Sequence, residues 1–301
     1  MSLSAKELMG APAGAPKIDF REPKGAAALV GPDSVSWRVF KNPVALFIGG
    51  VTAVLLELAE PRVRTGVWEH TTFRTDPLAR MRRTGYAAMV TIYGPREAAE
   101  RMIAGISRMH ARVTGVTPAG QAYTAADPEL LDWVQVTAGF GFMEAYHRFV
   151  RPLTDGERDR FYAEGEAAAQ LYGAVGAPKS QAEAEALFAS IAPKLERHEI
   201  IFEFLDIMRR VDVAPAPLRG VQRLLVRAGI ALVPENIRAI IGLGREWDLP
   251  WGAETAIRAM GAAADRVVMK SAPPAQACER LGLPANYLYR APARSGPERA
   301  A

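Results

Sequence analysis

Residues 44–59, VALFIGGVTAVLLELA, constrain the fold more than any other stretch of the chain. The run is apolar on every side of a helix, so no face of it can be left in water and it must lie centrally in a core. Pro43 stands where such a helix starts, and Pro61 stands where the pattern stops. The run falls short of the ~20 residues that a membrane-spanning helix needs, and it is interrupted by Gly49, Gly50 and Glu57. The opening residues MSLSAKELMG also lack the long apolar region of a signal peptide. A cytoplasmic protein with a buried core helix and no transmembrane segment is expected. Gly49-Gly50 is read as a place where another helix packs closely.

Around this helix the sequence reads as a succession of further helices. Asp76-Pro77 and Asp127-Pro128 are helix starts, with Asp as N-cap and Pro preset for the first turn. The first leads to Gly94-Pro95 and the second to about residue 150, with a helix over 96–113 between them. Thr154-Asp155 opens one through residue 172, and Ser180 with Glu183 suggests a capping box ahead of another. Helices over 200–210, 221–232, 235–243, 254–268 and 274–280 complete the series. Period-2 alternation is absent, so no strand is expected. The fold class is all-α, a single large multi-helix domain over 37–290. An irregular arm covers 1–36, and a disordered tail is expected over 291–301.

A chain of 301 residues can bury a core without staples, and Cys278, its single cysteine, can form neither an internal disulfide nor a Cys-based zinc site. The net charge of +4 comes from scattered basic residues. The only dense group, Arg62, Arg64, Arg80, Arg82 and Arg83, is flanked by acidic residues, which argues against nucleic acid as a partner.

Phosphate loops, dinucleotide fingerprints, nucleophile elbows and HExxH are all missing, and with only 4 histidines the metal chemistry open to the chain is narrow. His110 follows Ile103 and Ile106 and precedes Val113 at helical spacing, so it lies on an apolar face. From spacing alone it is either a core histidine bonded to a carbonyl or the single imidazole ligand of a haem iron. Arg80, Arg83 and Thr84 share one side of their helix. They form a solvated basic face or a site for an anion, since arginines near a helix start oppose its dipole. His70, in WEHTTF, is read as a loop residue or a second polar group lining a cavity. His147 lies in a strongly apolar helix, and His198 among charged residues of the surface.

The segments ELAEPRVRTGVWEHTTFRTDPLARMRRT, YGPREAA, RMHARVTG, YTAADPELLDWV, EAYHRFVRPLT and LVPENIRAIIGLG occur in an order that resembles one family. It is the domain shared by the MpaB-type oxygenases and the latex-clearing rubber oxygenases, here in its short bacterial form. The resemblance spans about residues 37–249 and is carried by an RxxxT motif, Arg80 to Thr84, and an HxxVxG motif, His110 to Gly115. It implies an all-helical fold around a haem-sized apolar cavity, with haem b held by His110 as iron ligand and Arg80 and Thr84 beside it. It also implies O2-dependent cleavage of carbon–carbon double bonds in an apolar, isoprenoid or lipid-like small molecule. Arg80, Arg83 and Thr84 are then the candidate catalytic residues, and His110, Arg80, Arg83 and His70 the cofactor contacts. Where rubber oxygenases carry a lysine able to take the other axial position, this chain has Arg83, whose guanidinium has no free lone pair. The alternatives are a non-catalytic protein that binds haem or an apolar ligand in the same cavity, or a helical domain without cofactor.

Overall fold

A computed structural model describes residues 11–12, 14–213 and 216–290; the first ten residues of the expected arm and the tail over 291–301 lie outside it. The chain runs through α1 (Val35–Phe40), α2 (Pro43–Ala59), α3 (Pro61–His70), α4 (Pro77–Tyr93), α5 (Arg96–His110), β1 (Thr114–Val116), β2 (Ala122–Thr124), α6 (Pro128–Phe149) and α7 (Asp155–Tyr172). It continues through α8 (Gln181–Ile191), α9 (Glu199–Arg210), α10 (Arg219–Leu232), α11 (Glu235–Ile241), α12 (Ala253–Ala264) and α13 (Pro273–Arg280). Both Asp-Pro starts are realised: Asp76 accepts a backbone N–H from Ala79, and Asp127 accepts one from Glu129. The reciprocal capping box forms at Thr154 and Glu157. At Ser180 it does not, because the Glu183 carboxylate turns instead to the Lys179 N–H at 2.8 Å.

The apolar helix α2 is central, as its composition requires. Ile48, Leu55, Leu56 and Leu58 are fully buried, each contributing about 1.5–3 kcal/mol of transfer free energy. Asn42 caps its start by accepting the Val44 and Ala45 N–H groups, while its own amide donates to Gly261 O at 3.0 Å. The main partner of α2 is α6, and the two backbones meet at glycines. A Cβ on Gly49 would stand 2.7 Å from Gly141 O, and one on Gly141 would stand 2.5 Å from Gly49 O. On another side, α10 approaches through Gly229, whose carbonyl accepts from the Thr52 hydroxyl at 2.9 Å.

Three elements depart from the sequence reading. Pro61 does not merely end α2; it is the first residue of α3, set by Glu60, whose carboxylate accepts the Val63 N–H at 2.8 Å. The axis bends by 111° there. Residues 61–70 are therefore helical rather than loop. The short α1, capped by Ser34, was likewise not expected. Thirdly, residues 114–124 form an antiparallel hairpin in which Thr114 pairs with Thr124 and Val116 with Ala122. Strands of 3 residues, rich in Thr, Gly and Ala, are too short for any alternation to show.

The arm is irregular but not loose. Phe20 and Leu29 are buried in the same core as the helices, and Arg280, at 1% exposure, ties the arm down. Its guanidinium donates to Phe20 O, Ala26 O and Tyr93 O at 2.7–2.8 Å. Among the described residues no single helix is long and apolar enough to cross a membrane.

Candidate functional site

Helices α4 and α5 pack on one another, and α2 packs on α6, yet these two pairs make no substantial contact with each other. The side chains between them show what this leaves. Along α2, beyond its exposed first residue Pro43, accessible surface is confined to Leu46, Phe47, Gly50, Val54 and Glu57, a stripe at helical spacing. On α4 the half-buried residues include Arg80, Met81 and Ala88, and on α5 they include Met102, Ile106 and His110. The accessible stripe on the central helix α2 marks an open space along that face.

His110 is the last residue of α5, and the chain turns directly into the hairpin, with Val113 N–H on His110 O at 3.0 Å. Gly115 of the HxxVxG motif has a steric reason: a Cβ there would stand 2.6 Å from the Tyr123 hydroxyl that folds over it. Neither nitrogen of the His110 ring has a hydrogen-bond partner among the described residues, and Nδ1 is enclosed while Nε2 is not. Burial, and then the positive charge of Arg80, depress its pKa, so the ring is neutral and Nε2 carries a free lone pair in one tautomer.

Arg80 lies between two titratable groups. It lowers the pKa of His110 and also acts on Glu57, whose carboxyl burial pushes up to about 7 against that pull. The Arg80 guanidinium donates to the Thr84 hydroxyl, which itself donates back to Arg80 O at 3.1 Å. Arg80 and Thr84 are thus brought together as expected. Arg83 diverges: it is exposed, and its Nη2 donates to the Thr72 hydroxyl at 2.6 Å. Arg82, half-buried, has an enclosed Nε without a partner.

The remaining histidines take structural places. His70, expected in a loop or cavity wall, is the exposed final residue of α3. His147 Nδ1 accepts the Leu153 N–H at 3.0 Å, closing the turn after α6. His198 caps α9 by accepting the Ile200 N–H at 3.2 Å. A cleft near the start of α4, lined by Pro77, Glu203, Asp206, Ile207, Arg210 and Val211, includes no histidine. Glu57 is the residue that sequence reasoning passed over. Its signal was present, since an ionisable group inside an apolar run demands a reason.

The family model described as "ER-bound oxygenase mpaB/B'/Rubber oxygenase, catalytic domain" matches residues 37–269. The chain belongs to this family. No curated protein and no solved structure matches it. As an MpaB/rubber oxygenase catalytic domain, the chain has an oxygenase-type function, with O2 and a small molecule as the reactants this implies. The match begins at Trp37 in α1 and contains α2 through α12, so every residue of the site lies within it.

Among the described residues no group of three or more His, Cys, Asp or Glu could hold a bare metal ion. A metal here would have to bring most of its own ligands. The residues fit a haem in that respect: one neutral imidazole with an open nitrogen, apolar side chains facing a gap, and arginines with uncommitted donors.

Proposed function

We propose that the protein is a haem-dependent oxygenase acting on an apolar, isoprenoid or lipid-like small molecule. The observation that carries this is His110, a neutral ring at the edge of an apolar gap with Nε2 unclaimed by any described residue. His110 would hold the iron, and bound haem would supply the one-electron chemistry with dioxygen that no side chain provides. The chain's own contribution is position and charge. Thr84 fixes the Arg80 guanidinium, which projects positive charge into the gap, where it favours anionic groups. Arg82 and Arg83 are further cations on the same helix for carboxylates at the rim. The apolar stripes exclude water and fit a hydrocarbon chain.

The alternative is a non-catalytic protein that binds haem or an apolar ligand, and one observation favours its apolar-ligand form. A metal-bound histidine usually donates its second N–H to an acceptor, and Nδ1 of His110 has none among the described residues.

The test is the visible spectrum of protein supplied with haem. A Soret band that is lost in His110→Ala supports ligation. Its absence from the wild type, or its persistence unchanged in the variant, refutes it. Oxygen uptake with polyprenyl substrates then separates oxygenase from carrier, a carrier showing none with haem in place.

A further inference from the structure

Two adjoining hollows lie away from the gap and share the Asp206 and Arg210 side chains of α9. The larger, about 430 Å³, is lined also by Pro77, Ile207 and Val211, all half-buried, and by Glu203. Glu203 brings little net charge to it, because Arg74 Nε pairs with its carboxylate at 3.0 Å. The smaller, about 190 Å³, adds Arg209 and, from α10, Arg223. Three guanidinium groups and a single carboxylate thus line it, an excess of two positive charges. Arg210 Nη2 holds Asp206 Oδ2 at 2.9 Å, whereas Arg209 Nη1 stands 3.9 Å from Oδ1, beyond hydrogen-bond reach. Arg223 has neither an ion pair nor a hydrogen bond among the described residues. An apolar wall therefore adjoins a cluster of cations whose donors are largely uncommitted.

We infer that the paired hollows bind an anionic amphiphile, an apolar chain that ends in a carboxylate or a phosphate. The chain covers Pro77, Ile207 and Val211, and the head lies on Arg209, Arg210 and Arg223. A guanidinium presents its donors in a planar fork that matches the oxygens of either head group. A negative head also relieves the mutual repulsion of three neighbouring cations, which an uncharged alcohol or hydrocarbon cannot do. An acidic peptide would match the cations but leave the apolar wall uncovered. Neither hollow includes a histidine or a residue of the α2 stripe, so the inference does not depend on the oxygenase reading. The link to the gap is α4, whose first residue lines the larger hollow and whose Arg80 follows one turn later.

The test is isothermal titration calorimetry on the full chain with decanoate, decyl phosphate, decanol and butyrate, at low and at high salt. The better of the two ten-carbon anions should bind about tenfold more tightly than decanol, the effect of one hydrogen bond to a charged group. That margin should shrink at high salt. Butyrate should bind more weakly than decanoate, because it leaves the apolar wall bare. Arg223→Gln should weaken the anions about tenfold and leave decanol unchanged, while Arg223→Lys, which keeps the charge, should recover part of the loss. Arg223 is exposed, so neither substitution threatens folding. A wild type that binds both anions no better than decanol overturns the inference, and so does anion binding that Arg223→Gln leaves intact. Equal affinity for butyrate and decanoate removes the apolar half and overturns it too. Loss of anion binding in His110→Ala would place the ligand in the gap instead. Between the two anions, the tighter one identifies the head group. The Soret band involves none of these ligands, so the haem reading and this one can fail separately.

Discussion

A buried acid without a hydrogen-bond partner should cost the protein stability, and at Glu57 the cost can be worked out. Burial raises its carboxyl from 4.5 in the unfolded chain to about 7 in the fold. Such a shift works against folding at high pH. The acid imposes no charge penalty below the unfolded value, and the penalty grows as pH rises to the folded value and is complete above it. At 1.36 kcal/mol per pKa unit, the full difference is at most about 3.4 kcal/mol. Glu57 keeps some accessible surface in the gap, so water screens part of this and the figure is an upper bound. At pH 5 the same linkage leaves only about 1 kcal/mol. Glu57→Met removes the charge and adds apolar burial that does not depend on pH. Urea unfolding of wild type and variant at pH 8 and pH 5 should therefore show a gain in stability at both. The gain at pH 8 should be larger by up to about 2.5 kcal/mol. An equal gain at the two pH values would falsify the burial of an ionisable Glu57, and so would a loss at pH 8.

Two further substitutions probe the frame. Gly49→Ala places a methyl 2.7 Å from the Gly141 carbonyl oxygen, where backbone cannot move aside as a side chain would. A loss of about 3 kcal/mol or more is expected in urea unfolding, at the upper end of overpacking costs. A melt unchanged from wild type would mean that α2 and α6 do not meet at these glycines. Arg280→Met strands three carbonyls, of Phe20, Ala26 and Tyr93, at a cost of about 3 kcal/mol or more. Limited proteolysis should then cut within residues 14–33 first; cleavage confined to other segments would show that Arg280 does not hold the arm.

Much of the helical order was legible because it rests on strong local chemistry. Asp76-Pro77, Asp127-Pro128 and Thr154 announce helix starts through side chains that satisfy free backbone N–H groups. Where local chemistry is ambiguous, the reading failed. Pro61 reads equally well as a stop and as a first helical residue, and only the capping carboxylate of Glu60 decides between them. The hairpin could not be seen because its strands are short and nearly devoid of β-branched apolar residues. In the site, His110 was legible from its place on an apolar face. The separation of Arg83 from Arg80 was not, since two arginines on one helix face can reach in different directions along flexible stems. Glu57 was noticed only as an argument against a membrane span. The cation that acts on it lies on another helix, and no spacing rule connects residues 57 and 80.

The glycine contact between α2 and α6 sets how this site can diverge among relatives. Because the helices touch through main chain, neither Gly49 nor Gly141 can be exchanged to widen or narrow the gap without parting the helices themselves. Variation in ligand shape is open instead to the α2 positions that keep accessible surface, Leu46, Phe47 and Val54 among them. The fold thus divides its central pair into an invariant pivot and an adaptable wall, and new specificities can be sampled in the wall without disturbing the scaffold that carries them.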